Sequence, residues 1–183
     1  MDRVLTGDLT RLSRFLSYVL RHDPGAIGIE LDAGGWVDVD TLLAALAEHG
    51  RPIGVDTLRA LVAGTDKVRL QLRDGRVRAA QGHSVPVDLG LVPTSPPDVL
   101  YHGTVPRFLP GIRVDGLLPG RRHHVHLSVD EPTAVTVGAR RGTPVVLRVD
   151  AVGMHRAGHE FFLAANGVWL TAAVPPQWIV TAI

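Results

Sequence analysis

A proline-rich segment divides this chain into two halves with different hydrophobic patterns. Residues 85–98 contain four prolines, and proline supplies no backbone donor for a helix interior or a central strand. Before this segment, apolar residues recur at helical spacing, whereas short apolar runs separated by glycine and proline follow it. We therefore predict an α+β protein with two lobes, residues 1–90 and residues 91–183.

The first half is predicted to contain three helices and a short strand. Apolar residues lie three and four positions apart in the helical segments, and the Asp23-Pro24 pair should end the first of them. The predicted elements are a helix at 9–22, a strand at 35–37, and helices at 41–48 and 57–62. The expected capping side chains are Asp8 or Thr10, Asp40 and Asp56.

A β-hairpin completes the predicted first lobe. Residues 67–73 alternate between polar and apolar, and Asp74-Gly75 is a strong two-residue turn signal. One face of the hairpin should carry Val68, Leu70, Leu72, Val77 and Ala79. The opposite, basic face should carry Arg69, Gln71, Arg73, Arg76 and Arg78, with Arg73 opposite Arg76 and Gln71 opposite Arg78. The order helix, strand, helix, helix, hairpin suggests a winged helix-turn-helix.

The second half is predicted to be a compact β-rich lobe. Its short apolar runs are bounded by glycine and proline, which is typical of short strands. The predicted strands lie at 99–101, 124–127, 144–149, 160–163, 167–170 and 179–183. One helix is predicted among them, at 132–137.

Composition excludes several classes of protein. The chain has no cysteine, which rules out disulfides and thiolate metal sites. It contains no apolar run of membrane-spanning length and no signal-peptide pattern at its start, so we expect a cytoplasmic location. It also has no P-loop, GxGxxG or GxSxG motif, which makes a P-loop kinase, a Rossmann dehydrogenase and an α/β-hydrolase poor interpretations.

Charge does not mark the chain as a general nucleic-acid binder. The net charge is +1, and residues 1–90 hold 11 basic against 12 acidic groups, a net of −1. Any phosphate site must therefore come from a local cluster of basic residues. Nearly all of the basic residues are arginine, which binds phosphate with two parallel hydrogen bonds.

Two features of the first half could together recognise a phosphate. Arg21 and His22 fall at the predicted C-terminal end of the first helix, where the helix dipole favours a cation. Arg69 lies on the basic face of the hairpin. Arginine forks and a donating imidazole suit phosphate, although a capped helix end beside a solvated hairpin is the commoner meaning of such a pattern.

The second half offers three more candidate sites. Residues 101–104, Tyr-His-Gly-Thr, end a predicted strand, where the glycine could allow close approach of a ligand or simply form a turn. His124 and His126 should share one strand face, as a metal pair would, but no carboxylate or cysteine cluster accompanies them. They could equally clamp an anionic or aromatic ligand. Arg140 and Arg141 lie in a basic turn, which is more often a surface charge pair.

Taken in order, these segments resemble the RNA (tRNA) 2′-phosphotransferase family. Each stretch is short, but together they follow the order of the family and span nearly the whole chain. The matching stretches are residues 12–24, 35–37, 81–84, 100–104, 124–128 and 166–171.

The resemblance implies a two-lobe enzyme that consumes NAD⁺. The first lobe would be an RNA-binding winged helix, and the second would share the fold of ADP-ribosyltransferases. In the implied reaction, an internal RNA 2′-phosphate attacks the nicotinamide ribose of NAD⁺ and releases nicotinamide. The ADP-ribosylated RNA intermediate then gives 2′-OH RNA and ADP-ribose 1″,2″-cyclic phosphate.

The resemblance also implies a catalytic quartet of the form Arg-His-Arg-Arg. Arg21, His22 and Arg69 match its first three members. Arg140 and Arg141 compete for the fourth position. Because family members often read Arg-His-Gly there, with the histidine aligned to Arg141, we assign Arg140.

For NAD⁺ binding, the resemblance points to two segments and one further residue. His102 would hold the nicotinamide ribose and His126 would lie near the nicotinamide ring, while Val168 would occupy a position that is glutamate in many protein-modifying relatives. The expected NAD-binding residues are His102, Gly103, Thr104, His126, Ser128 and Val168. An anionic phosphate nucleophile needs no base, which makes the missing glutamate chemically sensible.

The expected partners are RNA carrying a 2′-phosphate and NAD, which is consumed as a co-substrate. No metal and no membrane are expected to take part, and the protein is expected to be a monomer. An ADP-ribosyltransferase that modifies nucleic-acid phosphates or protein is the main alternative. A winged-helix regulator with a ligand-sensing lobe, and a metal hydrolase using His124 and His126, are the others.

Overall fold

The chain is mixed α and β, with small antiparallel sheets. A computed structural model describes residues 6–64 and 68–181 and the side chains of residues 9–64 and 68–180. The chain forms two compact units, Met1–Gly90 and Leu91–Ile183. None of the helices in the described ranges combines the length and the apolar character of a membrane span.

In the part of unit 1 that the structure describes, three helices pack against a three-stranded sheet in the order β1-β3-β2. A single 3₁₀ turn at Pro24–Ile27 follows the first helix, as expected where proline ends it. The elements are α1 (Thr6–His22), β1 (Val37–Asp38), α2 (Val39–Glu48), α3 (Val55–Ala63), β2 (Leu70–Arg73) and β3 (Arg76–Ala79). The predicted helices, short strand and hairpin are thus confirmed in type and order.

The predicted helix caps are wrong. Asp8 and Thr10 lie inside α1, which already includes Thr6. Asp40 and Asp56 lie in the first turns of α2 and α3, whose preceding residues make no side-chain capping bond. Acidic residues are also favoured within a first turn, because the helix dipole is positive there. Asp40 and Asp56 therefore located the first residues of α2 and α3 only to within one helical turn.

The hairpin forms in the predicted register. Arg73 pairs with Arg76 and Gln71 with Arg78, and both turn residues adopt positive φ, 49° at Asp74 and 72° at Gly75, as a type I′ turn requires. The first strand begins at Leu70 rather than at 67, and Lys67 lies outside the described residues.

Two residues predicted for the apolar hairpin face are exposed instead. Val68 is 40% exposed and Leu72 is 36% exposed, whereas Leu70, Val77 and Ala79 are buried. Alternation decides which face of a strand a side chain takes, but burial also requires other atoms packed over it. Val68 precedes the strand, and Leu72 lies next to the residue that enters the turn. The core of unit 1 includes Leu16, Val19 and Leu20 of α1, Leu42 and Leu46 of α2, Leu58 and Leu61 of α3, and Leu70 and Val77.

Residues 91–181, the described part of unit 2, form two three-stranded antiparallel sheets. Their strand orders are β4-β6-β9 and β5-β8-β7, and paired backbone hydrogen bonds between Tyr101 and Ser128 link β4 to the end of β5. The strands are β4 (Val99–Thr104), β5 (Val125–Leu127), β6 (Val145–Asp150), β7 (Phe162–Leu163), β8 (Trp169–Thr171) and β9 (Ile179–Thr181). The predicted strands are present, with His124 just outside β5.

The predicted helix at 132–137 is confirmed, but the described part of unit 2 contains two further α-helices that the sequence analysis did not predict. The helices of this part are α4 (Leu109–Asp115), α5 (Glu131–Gly138) and α6 (Ala151–Arg156). Proline and glycine inside α4 hide its helical pattern, and the six residues of α6 are too few to show a period. A capping bond from the backbone of Gly153 to Asp150 Oδ1, 2.9 Å long, helps to start α6.

Candidate active site

The C-terminal end of α1 carries two of the predicted catalytic residues, both half-buried. Arg21 and His22 occupy the last turn, where the carbonyl end of the helix dipole favours cations. The chain that follows β3 returns to this point. The backbone N–H groups of Ser84 and Val85 both donate to the Arg21 carbonyl, at 2.9 and 3.3 Å. The helix end is therefore held by a segment some sixty residues later in the chain.

Arg69 lies beside this helix end. Arg21 Nη2 donates to the carbonyl oxygen of Arg69 at 3.4 Å, and the backbone N–H of Ala80 donates to the same oxygen at 3.0 Å. The Arg69 side chain is half-buried. The structure thus brings together Arg21, His22 and Arg69, three of the residues that the sequence analysis assigned to one site.

The histidine of this group contacts a hydroxyl. His22 Nδ1 lies 2.9 Å from Ser84 Oγ, and the ring of Tyr18 lies 5.8 Å away, centroid to centroid. The same serine therefore bonds Arg21 through its backbone and His22 through its side chain.

The remaining arginines of the basic hairpin face have local partners. Arg73 Nε lies 3.2 Å from Asp74 Oδ2, and Arg76 Nη1 lies 3.0 Å from Asp32 Oδ2. Both pairs reach solvent, where such contacts contribute little energy. Two of the four arginines on the hairpin face are therefore charge-compensated, in contrast to the uniformly basic surface that alternation alone suggested.

Arg78 anchors unit 1 internally. Its Nε donates to Gln71 Oε1 at 2.8 Å, and its Nη1 donates to the carbonyl oxygens of Gly34 and Leu89 at 3.0 and 3.3 Å. Its guanidinium lies 4.5 Å from the ring centroid of Trp36, within cation–π range. Desolvation lowers the pKa of Arg78, partly offset by Asp32. These contacts join the hairpin to the residues before β1 and after β3.

In unit 2, His102 on β4 presents an acceptor. Its Nδ1 lies 3.1 Å from the carbonyl oxygen of His126. A carbonyl only accepts, so Nδ1 carries the hydrogen and, in the neutral ring, Nε2 offers a lone pair. Desolvation lowers the pKa of His102, the bond to the His126 carbonyl opposes that change, and the charge of Arg141 adds to it. Neutral His102 suits a ligand hydroxyl group.

His126 on β5 has the opposite tautomer. Its Nδ1 lies 3.4 Å from Nη1 of Arg122, and a guanidinium only donates. Nδ1 therefore accepts, and the ring hydrogen lies on Nε2. The two histidines therefore offer opposite hydrogen-bonding groups at Nε2, which is an acceptor in His102 and a donor in His126.

Three arginines of unit 2 lie close enough to affect one another electrostatically. Desolvation, then the charges of Arg141 and Arg140, lowers the pKa of Arg122. Arg140 and Arg141 are exposed in the 3₁₀ turn that follows α5. Within the described residues, none of the three has a carboxylate partner. The local field favours an anion.

The choice of Arg140 over Arg141 stays a prediction. In addition to desolvation, the charge of Arg141 lowers the pKa of both His102 and Arg122, and the charge of Arg140 lowers the pKa of Arg122. Both arginines therefore contribute to the positive field around these residues.

The other predicted NAD-binding residues lie around the same strands. Thr104 is buried at 2% exposure, Ser128 pairs with Tyr101, and half-buried Val168 precedes β8. At Gly103, an added Cβ would overlap the carbonyl oxygen of Ala134. The packing of β4 against α5 therefore requires a glycine at this position, and the close approach of a ligand there stays a prediction.

His124 packs against a ring. Its imidazole makes an edge contact with Phe162, with centroids 5.5 Å apart, and burial, followed by the charge of His123, lowers the pKa of His124. Across residues 6–64 and 68–181, no group of three or more metal-ligating side chains comes together.

Comparison with known proteins identifies the family. The model of the RNA 2′-phosphotransferase, Tpt1 / KptA family matches residues 7–173. This chain belongs to that family. Its relatives include proteins named "Probable RNA 2′-phosphotransferase" from Agrobacterium fabrum and Burkholderia lata. The first is 55% identical over 94% of this chain and 94% of the relative, and the second is 54% identical over 94% and 90%. A third such protein, from Streptomyces coelicolor, is 54% identical over 92% of this chain and 93% of its own length.

Two residues of this family member were given no role by the sequence analysis. Ser84 contacts His22, and Arg122 contacts His126. Both lie in or beside stretches matched to the family, but their roles depend on contacts with residues assigned separately. Ser84 is 62 positions from His22, and that pairing has no signal in the sequence.

Proposed function

We propose that this protein is an NAD-dependent RNA 2′-phosphotransferase that removes an internal 2′-phosphate from RNA. The single observation that carries the proposal is the grouping of Arg21, His22 and Arg69 in a member of this family. Two guanidinium groups and an imidazole can bind a phosphate group by charge-assisted hydrogen bonds. They can do so both when the phosphate acts as a nucleophile and when it is the phosphoryl group being transferred.

In the proposed first step, an oxygen of the RNA 2′-phosphate attacks C1″ of the nicotinamide ribose of NAD⁺. The bond from C1″ to the nicotinamide nitrogen breaks, and nicotinamide leaves with the electron pair. The phosphate is already anionic, so this step needs no general base. The apolar Val168 at the position where many relatives carry glutamate agrees with that chemistry.

In the second step, the ribose O2″ hydroxyl attacks the phosphorus of the ADP-ribosylated RNA and gives up its proton. The bond from phosphorus to the RNA 2′-oxygen breaks, this oxygen takes up a proton, and ADP-ribose 1″,2″-cyclic phosphate leaves. Arg21 and Arg69, with Arg140 as the proposed fourth member, would stabilise charge on the transferring phosphoryl group. His22 would donate to a phosphoryl oxygen or protonate the departing 2′-oxygen.

Unit 2 supports NAD⁺ as the second substrate. The acceptor nitrogen of His102 suits a ribose hydroxyl, and the field of Arg122, Arg140 and Arg141 suits a diphosphate. Gly103, Thr104, His126, Ser128 and Val168 complete the proposed NAD-binding set. We also propose that unit 1 is an RNA-binding winged helix and unit 2 an ADP-ribosyltransferase-like lobe. A cytoplasmic location and a monomeric state remain predictions.

The deciding experiment incubates the protein with an oligonucleotide carrying one internal 2′-phosphate and with NAD⁺ labelled in the adenylate. We expect loss of the phosphate, with nicotinamide and labelled ADP-ribose cyclic phosphate formed in equal amounts. Label that stays on the acceptor would instead indicate an ADP-ribosyltransferase. Binding of RNA without release of nicotinamide would indicate a regulator. The matched control is the same oligonucleotide with only a 5′-phosphate, which should release no nicotinamide.

A further inference from the structure

Ser84 contacts both residues at the end of α1. Its backbone N–H donates to the Arg21 carbonyl at 2.9 Å, which fixes the position of the serine relative to the helix. Its Oγ then lies 2.9 Å from His22 Nδ1. Because the backbone bond anchors the serine, its hydroxyl can hold the imidazole in one orientation.

The contact also distinguishes the two nitrogens of His22. With Nδ1 directed to Ser84, Nε2 is the atom at the opposite side of the ring. A proton given to a substrate oxygen would therefore come from Nε2.

A hydroxyl is suited to a histidine that changes protonation state. It can donate to an unprotonated Nδ1 and accept from a protonated one, because its hydrogen rotates freely about the C–O bond. A carbonyl or a carboxylate would accept only, and would fix one tautomer. Ser84 can therefore keep its bond to His22 in the imidazolium, where Nδ1 donates, and in either neutral tautomer.

We propose that Ser84 is a positioning residue, which holds His22 through Nδ1 so that Nε2 faces the substrate in both protonation states. The proposal rests on the proposed function for its catalytic consequence. The contact itself is testable without turnover.

The kinetic test compares Ser84→Ala, which removes the hydroxyl, with Ser84→Thr, which retains it. We expect Ser84→Ala to lower kcat by about 10- to 100-fold with little change in KM for NAD⁺, the loss typical of a misplaced catalytic group. Ser84→Thr should recover most of that activity. The matched control is Ser95→Ala, which removes another serine-histidine contact, 3.4 Å from Ser95 Oγ to His155 Nε2, and should leave turnover unchanged.

A double mutant tests whether the serine acts through the histidine. In a His22→Ala background, Ser84→Ala should cause no further loss of the residual rate. A full additional loss would overturn the proposal, as would wild-type kcat in Ser84→Ala alone.

A spectroscopic measurement separates this proposal from the proposed function. Long-range ¹H–¹⁵N correlation spectra of the full chain report the state of each ring nitrogen of His22. We expect the Nδ1 signal of His22 to move in Ser84→Ala and to be retained in Ser84→Thr and Ser95→Ala. Unchanged His22 signals in Ser84→Ala overturn the contact. If the wild-type protein releases no nicotinamide, the proposed function fails, and these spectra still decide whether Ser84 orients His22.

Discussion

Replacing Arg78 by methionine should destabilise unit 1 rather than weaken RNA binding directly. The substitution keeps an apolar stem but removes the hydrogen bonds to Gln71, Gly34 and Leu89 and the contact with Trp36. The bonds at 2.8 and 3.0 Å should contribute about 1 kcal/mol each, and the cation–π contact about 0.5–1 kcal/mol at a partly exposed site. We therefore expect a loss of about 2–3 kcal/mol in the free energy of unfolding.

Urea denaturation can measure this loss specifically for unit 1. Trp36 is its only tryptophan, since the others are Trp169 and Trp178, so variants with those two changed to phenylalanine give a local fluorescence signal. With a slope of about 1.5 kcal/mol/M, the transition midpoint should fall by about 1.3–2 M. Arg73→Met is the matched control, because Arg73 lies on the same face with only its exposed contact to Asp74, and it should change stability by less than about 0.5 kcal/mol.

The reasoning would be refuted by a specific pair of results. If Arg78→Met unfolds at the wild-type urea concentration but binds RNA more weakly, the arginine acts on the ligand and its internal contacts are energetically unimportant. If Arg73→Met loses as much stability as Arg78→Met, the loss arises from reduced charge rather than from the anchoring bonds.

Three further predictions concern the proposed active site and its support. Arg69→Ala should retain NAD⁺ binding but stall turnover, with ADP-ribosylated RNA accumulating on a gel; wild-type turnover would contradict its role. Gly103→Ala should destabilise unit 2 by at least about 2 kcal/mol in thermal unfolding, because the methyl group overlaps the Ala134 carbonyl, and an unchanged Tm would refute that packing argument. Because the pKa of His102 is lowered in the folded protein, His102 takes up a proton at a higher pH in the unfolded chain, at about 6.5, than in the folded protein. Protonation of His102 therefore favours the unfolded chain, and its contribution to the free energy of unfolding should be lost as pH falls below that value. KM for NAD⁺ should stay constant to below pH 6.5. A rise in KM that begins above pH 6.5 and is abolished in His102→Asn would contradict this.

The local sequence pattern predicted the helices and strands of unit 1 well, because the residues within or next to each element indicate its type. The pair Asp74-Gly75 determined the hairpin register, and Asp23-Pro24 located the end of α1. The features that the sequence did not predict share one physical cause. The exposure of Leu72, the helical state of α4 and the packing that requires a glycine at Gly103 depend on which distant atoms lie against those residues, and a short window of sequence contains no information about them.

The same limit applies to the charges that matter most for function. On the hairpin, Arg69, Arg76 and Arg78 follow one alternating pattern and are equivalent in sequence, yet their surroundings differ. Arg78 is bound by internal acceptors, Arg76 is paired with Asp32, and Arg69 lies beside the end of α1. A phosphate site needs cations that are held in place and whose donors are not already bonded to other acceptors. Of these three arginines Arg69 best meets that condition, because its backbone carbonyl rather than its guanidinium makes the contacts with Arg21 and Ala80. The number of basic residues in a segment is therefore a weak guide to an RNA phosphate site, whereas the partners already bound to each guanidinium are a strong one.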